Sequence, residues 1–80
     1  MESDQLVVAM TPTRFIRTKF DMTQGELAQL LGVSQAHVSR MEQGVNELMP
    51  NHQRAIRDEA KARKIKWDDS WFFAPPEQAA

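Results

Sequence analysis

The run from Met22 to Gly44, MTQGELAQLLGVSQAHVSRMEQG, constrains this chain more than any other stretch. Thr23 followed three residues later by Glu26 is a capping box: the threonine oxygen accepts from the Glu26 amide while the glutamate accepts from the Thr23 amide. Leu27, Leu30 and Leu31 then recur on one helical face. Ala28 is small enough for a second helix to cross closely. Gly32 falls where the chain must turn, and glycine enters the left-handed region without steric cost. Ser34 caps a second helix, Val38 and Met41 point back to the core, and Gly44 ends it. The remaining face carries Gln35, Ala36, Ser39 and Arg40, a set of small and polar groups on a helix held by a compact hinge.

These residues fit the pattern T-Q-x-E-L-A-x-x-L-G-V-S-x-x-x-V-S-x-x-E-x-G. In it a cap, a small residue, a turn glycine, a second cap and two core positions agree in register. The stretch resembles the helix-turn-helix of the lambda-repressor-like (Cro/xenobiotic-response-element) family, closely over Met22 to Gly44 and more loosely over Thr11 to Ala60. The resemblance implies a compact all-α domain that binds double-stranded DNA as a phage-repressor-like or Cro-like transcriptional regulator. It also implies that Arg17 pairs with Glu42 at the end of the recognition helix. A plain helical hairpin is the bland alternative, because a fold does not by itself fix a function.

Eighty residues make one domain with a modest core, which dimerisation helps to stabilise. With no cysteine there is neither a disulfide nor a thiolate metal site, which suits the cytoplasm, and a DNA-binding role adds association with the nucleoid. No apolar run approaches the roughly 20 residues of a membrane span. Leu6 to Met10 is too short for a signal peptide and lacks preceding basic residues. A net charge of −1 argues against nucleic acid only if the chain is taken whole. All ten Lys and Arg lie between Arg14 and Lys66, a span with six acidic residues, which leaves it at +4. A basic body with acidic ends still suits phosphates.

The expected architecture is five helices, at 11–20, 23–31, 34–43, 51–64 and 68–73. They follow an arm at 1–10, in which Leu6-Val7-Val8 suits either an edge strand or disorder, and precede a disordered tail at 74–80. Thr11-Pro12 starts the first helix, with Phe15, Ile16 and Phe20 on its apolar side. Asn51 suits the cap of the fourth helix, where Ile56 and Ala60 are core residues and Arg54–Asp58 is a favourable i, i+4 pair. Asp68 caps the last helix, Asp69 suits its N-terminus, and Trp71 and Phe72 close the core. Four aromatics between Trp67 and Phe73 exceed what one short helix buries, leaving Trp67 or Phe73 for a partner chain.

For DNA, Gln35, Ala36, Ser39 and Arg40 are the expected base contacts: glutamine matches adenine N6 and N7, arginine guanine O6 and N7, and alanine a thymine methyl. Thr23, Gln24, His37, Asn46, Asn51 and His52 are the expected phosphate contacts, the first two at a helix N-terminus whose free amides face the backbone. The role of Gln24 is the one the resemblance implies. Related proteins often carry basic residues in the loop that here holds Glu47, so the downstream clamp is weaker. Leu48, Met49, Trp67 and Phe73 are the expected interface of a homodimer on a palindromic operator. Nothing points to an enzyme: the two histidines lack metal-ligand spacing, no glycine-rich phosphate loop exists, and Asp68-Asp69 reads as a cap. No cofactor, metal, membrane or small-molecule substrate is implied. An antitoxin-type regulator, or a protein-interaction module using the aromatic segment, is the alternative.

Overall fold

A computed structural model describes residues 10–76. Four α-helices are present in it, α1 Pro12–Phe20, α2 Gln24–Leu31, α3 Gln35–Glu42 and α4 Pro50–Ala62, followed by a single 3-10 turn, Asp69–Phe72. Each start has a local cause. Thr11 accepts from the Arg14 amide at 3.3 Å, with Pro12 in the first helical position where its missing N–H costs nothing. Both halves of the Thr23–Glu26 capping box form, at 3.1 and 2.8 Å. Ser34 accepts from the His37 amide at 3.0 Å.

The ends are as specific. Gly32 has φ 73° and Gly44 φ 83°, and around each the chain folds back so that Val33 donates to the Ala28 carbonyl and Val45 to that of Arg40. This left-handed ending satisfies carbonyls that a helix terminus leaves orphaned. Asp21 and Lys64 adopt the same conformation after α1 and α4 without being glycine.

The core consists of Phe15, Ile16, Phe20, Leu27, Ala28, Leu31, Val38, Met41, Ile56, Ala60 and Phe72. Every helix contributes, α2 packing on both α3 and α4, and α1 on α3 and the 3-10 turn. Long-range polar ties clamp this arrangement. The Thr11 hydroxyl donates to the Glu42 carbonyl at 2.9 Å, joining the start of α1 to the end of α3. Arg63 donates to the Phe20 carbonyl at 2.7 Å and lays its guanidinium 5.4 Å from the Phe20 ring, joining the ends of α4 and α1.

Three expectations are corrected. The fifth helix is only a 3-10 turn: Asp68 caps it through the Ser70 amide, its bonds run from Trp71 to Asp68 and from Phe73 to Ser70, and after one i→i+4 bond from Ala74 to Ser70 the Pro75-Pro76 pair ends it. Asn51 is not the cap of α4. Met49 holds that position, Pro50 takes the first helical place, and His52 Nδ1 accepts from the Met49 amide at 3.1 Å. Arg54 and Asp58 form no ion pair among the described residues; Arg57 instead reaches Asp69 at 3.0 Å, and Arg63 pairs with Glu59. The N-terminal arm before Met10 and the tail beyond Pro76 lie outside the described residues.

Candidate nucleic-acid interface

Gly32 and the Ser34 cap set the angle between α2 and α3, and burial of Val38 and Met41 sets the rotation of α3 about its axis. With those two side chains fixed inward, helical geometry fixes what faces out. Gln35, Ala36 and Arg40 are exposed and Ser39 is half-buried. The structure therefore gathers on one surface the four residues expected to contact bases.

Behind this surface lies a connected polar chain. Arg17 forks onto the Glu42 carboxylate, its Nε on one oxygen and its Nη2 3.3 Å from the other, while its Nη1 donates to the Met22 carbonyl. Glu42 is nearly enclosed, with 7% of its side chain exposed, and Arg17 retains 24%. The same Glu42 oxygen accepts from Gln24 Nε2 at 3.1 Å, and Gln24 Oε1 accepts from Gln35 Nε2 at 3.5 Å. Ion pair, α2 start and α3 start thus form one network. The link from Gln24 to Glu42 spans 18 positions, and no local spacing rule announces it.

The other expected backbone contacts fare differently. Thr23 and Asn51 are exposed, Asn46 is half-buried, and Thr23 is already engaged in the capping box. His37 is half-buried on α3, its ring 6.3 Å from that of His52 and edge-on to it. His52 is 7% exposed and its Nδ1 accepts from the Met49 amide, which leaves its Nε2–H as the donor it has for a phosphate. Among the described residues no group of three or more His, Cys, Asp and Glu is placed to hold a metal ion. No helix there is long and apolar enough to cross a membrane.

Burial, and then the nearby His37, hold the His52 imidazole below its ordinary 6.5. The unfolded chain therefore binds more protons than the native one once pH drops below about 6.5. Stability from this residue is full above that pH and is lost as pH falls through the lowered native value. We expect the urea midpoint to fall between about pH 7.5 and 5.5. Comparing His52→Asn with the parent chain isolates this contribution, since the variant lacks the titrating ring; an equal fall in both would remove His52 as the cause.

The apolar surface is also redistributed. Trp67 is not left over: it packs against Phe20, Trp71 and Phe72 within its own chain, and its Nε1 donates to Asp69. Asp69 is thereby occupied by Trp67 and Arg57. Trp71 is half-buried against Phe15 with the Lys19 ammonium 5.2 Å from its ring, so Phe72 alone of the pair is fully inside. Leu48 packs partly on the core. The large apolar side chains left exposed are Val45, Met49 and Phe73, at 64%, 52% and 74%. Val45 was not evident in advance, because a loop valine carries no periodic signal. Phe73 stands at a cavity of about 320 Å³ that Thr11, Pro12, Met41, Leu48 and Phe72 also line.

Residues 14–52 match a family model described as helix-turn-helix, a span that runs from α1 through α3 to the first turn of α4. No curated protein and no solved structure matches the chain. The matched span contains the whole polar network and the whole exposed face of α3. The match supports a helix-turn-helix of the lambda-repressor-like kind over residues 14–52, a domain type of DNA-binding transcriptional regulators.

Proposed function

We propose that this chain is a sequence-specific regulator of the phage-repressor or Cro-like type, reading the major groove with α3. The observation that carries the reading is the exposed face of α3. Gln35 at its first turn and Arg40 one turn on present hydrogen-bonding groups to solvent while the opposite face is locked into the core. Gln35 matches the adenine edge, Arg40 the guanine edge, Ala36 a thymine methyl, and Ser39 either kind of base. Thr23 and Gln24, with the free amides of α2 above them, anchor one phosphate run; Asn46, Asn51 and His37 flank the other side.

Titration of the full chain against sites selected from random DNA tests the reading. Gln35→Ala is expected to weaken specific binding by about 1–3 kcal/mol and relax preference at one base pair. Gln24→Ala should weaken non-specific as well as specific DNA, because it removes a phosphate contact. Unchanged specificity in Gln35→Ala would reject α3 as the reading helix.

A homodimer on a palindromic operator belongs to the same proposal, with half-sites about 34–36 Å apart. Met49 and Phe73, with Val45 and the edge of Leu48, are its contact residues. The exposure of Val45, Met49 and Phe73 supports this, and Leu48 and Phe73 line the cavity, whereas Trp67 is half-buried against its own chain. Sedimentation with and without operator reads the stoichiometry directly. The exposed Phe73 also favours a second reading, an antitoxin-type regulator or an interaction module that docks another protein there. Salt-dependent retention on random DNA separates a DNA binder from a module that binds protein alone.

A further inference from the structure

Glu42 has a role beyond holding α1 against α3. An ionised carboxylate can only accept hydrogen bonds, whereas a carboxamide offers one end of each kind. Glu42 accepts from Arg17 on both of its oxygens and from Gln24 Nε2 on one of them. Gln24 must therefore turn its NH2 group inward to Glu42 and its oxygen outward. That oxygen is the acceptor for Gln35 Nε2. Gln35 must in turn spend an N–H on Gln24. Its oxygen and its second N–H remain for the groove, an acceptor and a donor side by side. Adenine N6–H and N7 present the complementary pair. The direction of every bond follows from one buried charge two side chains away from the base.

We propose that Glu42 is a positioning residue for base readout, fixing through Gln24 the way round in which Gln35 meets its base pair. This rests on α3 being the reading helix. Glu42→Gln is the informative change because it keeps shape and removes the acceptor-only constraint. Arg17 still demands the oxygen at position 42, so the new amide N–H faces Gln24 and reverses the chain: Gln24 presents its oxygen inward and its NH2 to Gln35. Exchanging the two groups, with Gln24→Glu and Glu42→Gln together, restores the original direction. The carboxylate at 24 then accepts from both neighbours, and Gln35 is oriented as before.

The test is a binding titration of the full chain against its selected operator carrying each of the four base pairs at the Gln35 position, with helicity followed by circular dichroism. Wild type is expected to prefer its own base pair by about tenfold or more. Glu42→Gln should lose that preference while keeping preferences at the other positions, and the exchanged pair should regain it. Gln24→Leu, which leaves Arg17 and Glu42 paired, should lose the same preference, so the proposal stays testable even where Glu42→Gln fails to fold. Retention of the preference in Glu42→Gln or Gln24→Leu overturns the proposal. Equal loss in Glu42→Gln and the exchanged pair, both folded, also overturns it, since a purely structural role makes that prediction. If Gln35→Ala itself leaves the preference intact, the reading of α3 has failed instead.

Discussion

Replacing Phe20 by alanine is expected to lower the unfolding free energy by about 3–5 kcal/mol. Phe20 is 1% exposed and closes the end of α1 against both later segments of the chain. Its ring lies 6.0 Å from that of Trp67 and 5.4 Å from the Arg63 guanidinium, and its carbonyl holds Arg63 Nη1. Truncation therefore opens a cavity and strips a face from two further groups. A domain of this size has a total stability of about 4–12 kcal/mol, so the loss consumes much of the margin. The melting temperature should drop by on the order of 20 °C in a thermal scan. A loss under about 1 kcal/mol would mean that the site collapses around the gap, against the packing described.

The second large effect belongs to the ion pair. Arg17→Ala leaves the Glu42 carboxylate enclosed without its cation, and breaking a buried pair in this way costs about 3–5 kcal/mol. The lower end applies, about 3 kcal/mol, because Gln24 continues to donate to Glu42 and the site is not fully dry on the arginine side. Glu42→Ala should cost less than Arg17→Ala. The orphaned guanidinium there keeps the Met22 carbonyl and its partial access to water, whereas the orphaned carboxylate is nearly enclosed. Chemical denaturation of the two variants side by side checks the order. Equal or inverted costs would show that the asymmetry in burial does not govern the pair.

What the sequence made legible was local. Thr11, Thr23 with Glu26, and Ser34 each meet an amide three residues on, so their caps follow from spacing alone. Gly32 and Gly44 mark the turns because positive φ is cheap for them. The burial of Ile56, Ala60, Val38 and Met41 follows from helical period. The expectations that failed depend on competition between neighbours. Asn51 is a good cap in isolation, yet Pro50 next to it is a better first helical residue and shifts the register by two. His52 suits a phosphate contact by its place near the start of α4; its burial to 7% exposure and its Nδ1 bond to the Met49 amide were not visible in its spacing. Trp67 seemed surplus because a single 3-10 turn offers little area, but it packs on Phe20 from α1, far away in sequence. At the candidate site the exposed face of α3 was readable from its period. The Glu42–Gln24 bond was not, because it depends on how α2 and α3 cross.

The Thr11–Glu42 tie bears on how far the two-helix unit is portable. The last residue of α3 is held by its carbonyl to Thr11 and by its carboxylate to Arg17, both on the N-terminal side of Met22. Excising residues 22–44 and transplanting them into another scaffold would carry the exposed side chains of α3 but leave their moorings behind. Without them the C-terminal turn of α3 keeps only the Gln24 donor and the Gly44 ending, and the carboxylate that orders Gln24 loses its cation. The transplantable module is therefore the three-helix segment beginning at Thr11, because only with that first helix does the network of Arg17, Glu42 and Gln24 travel whole.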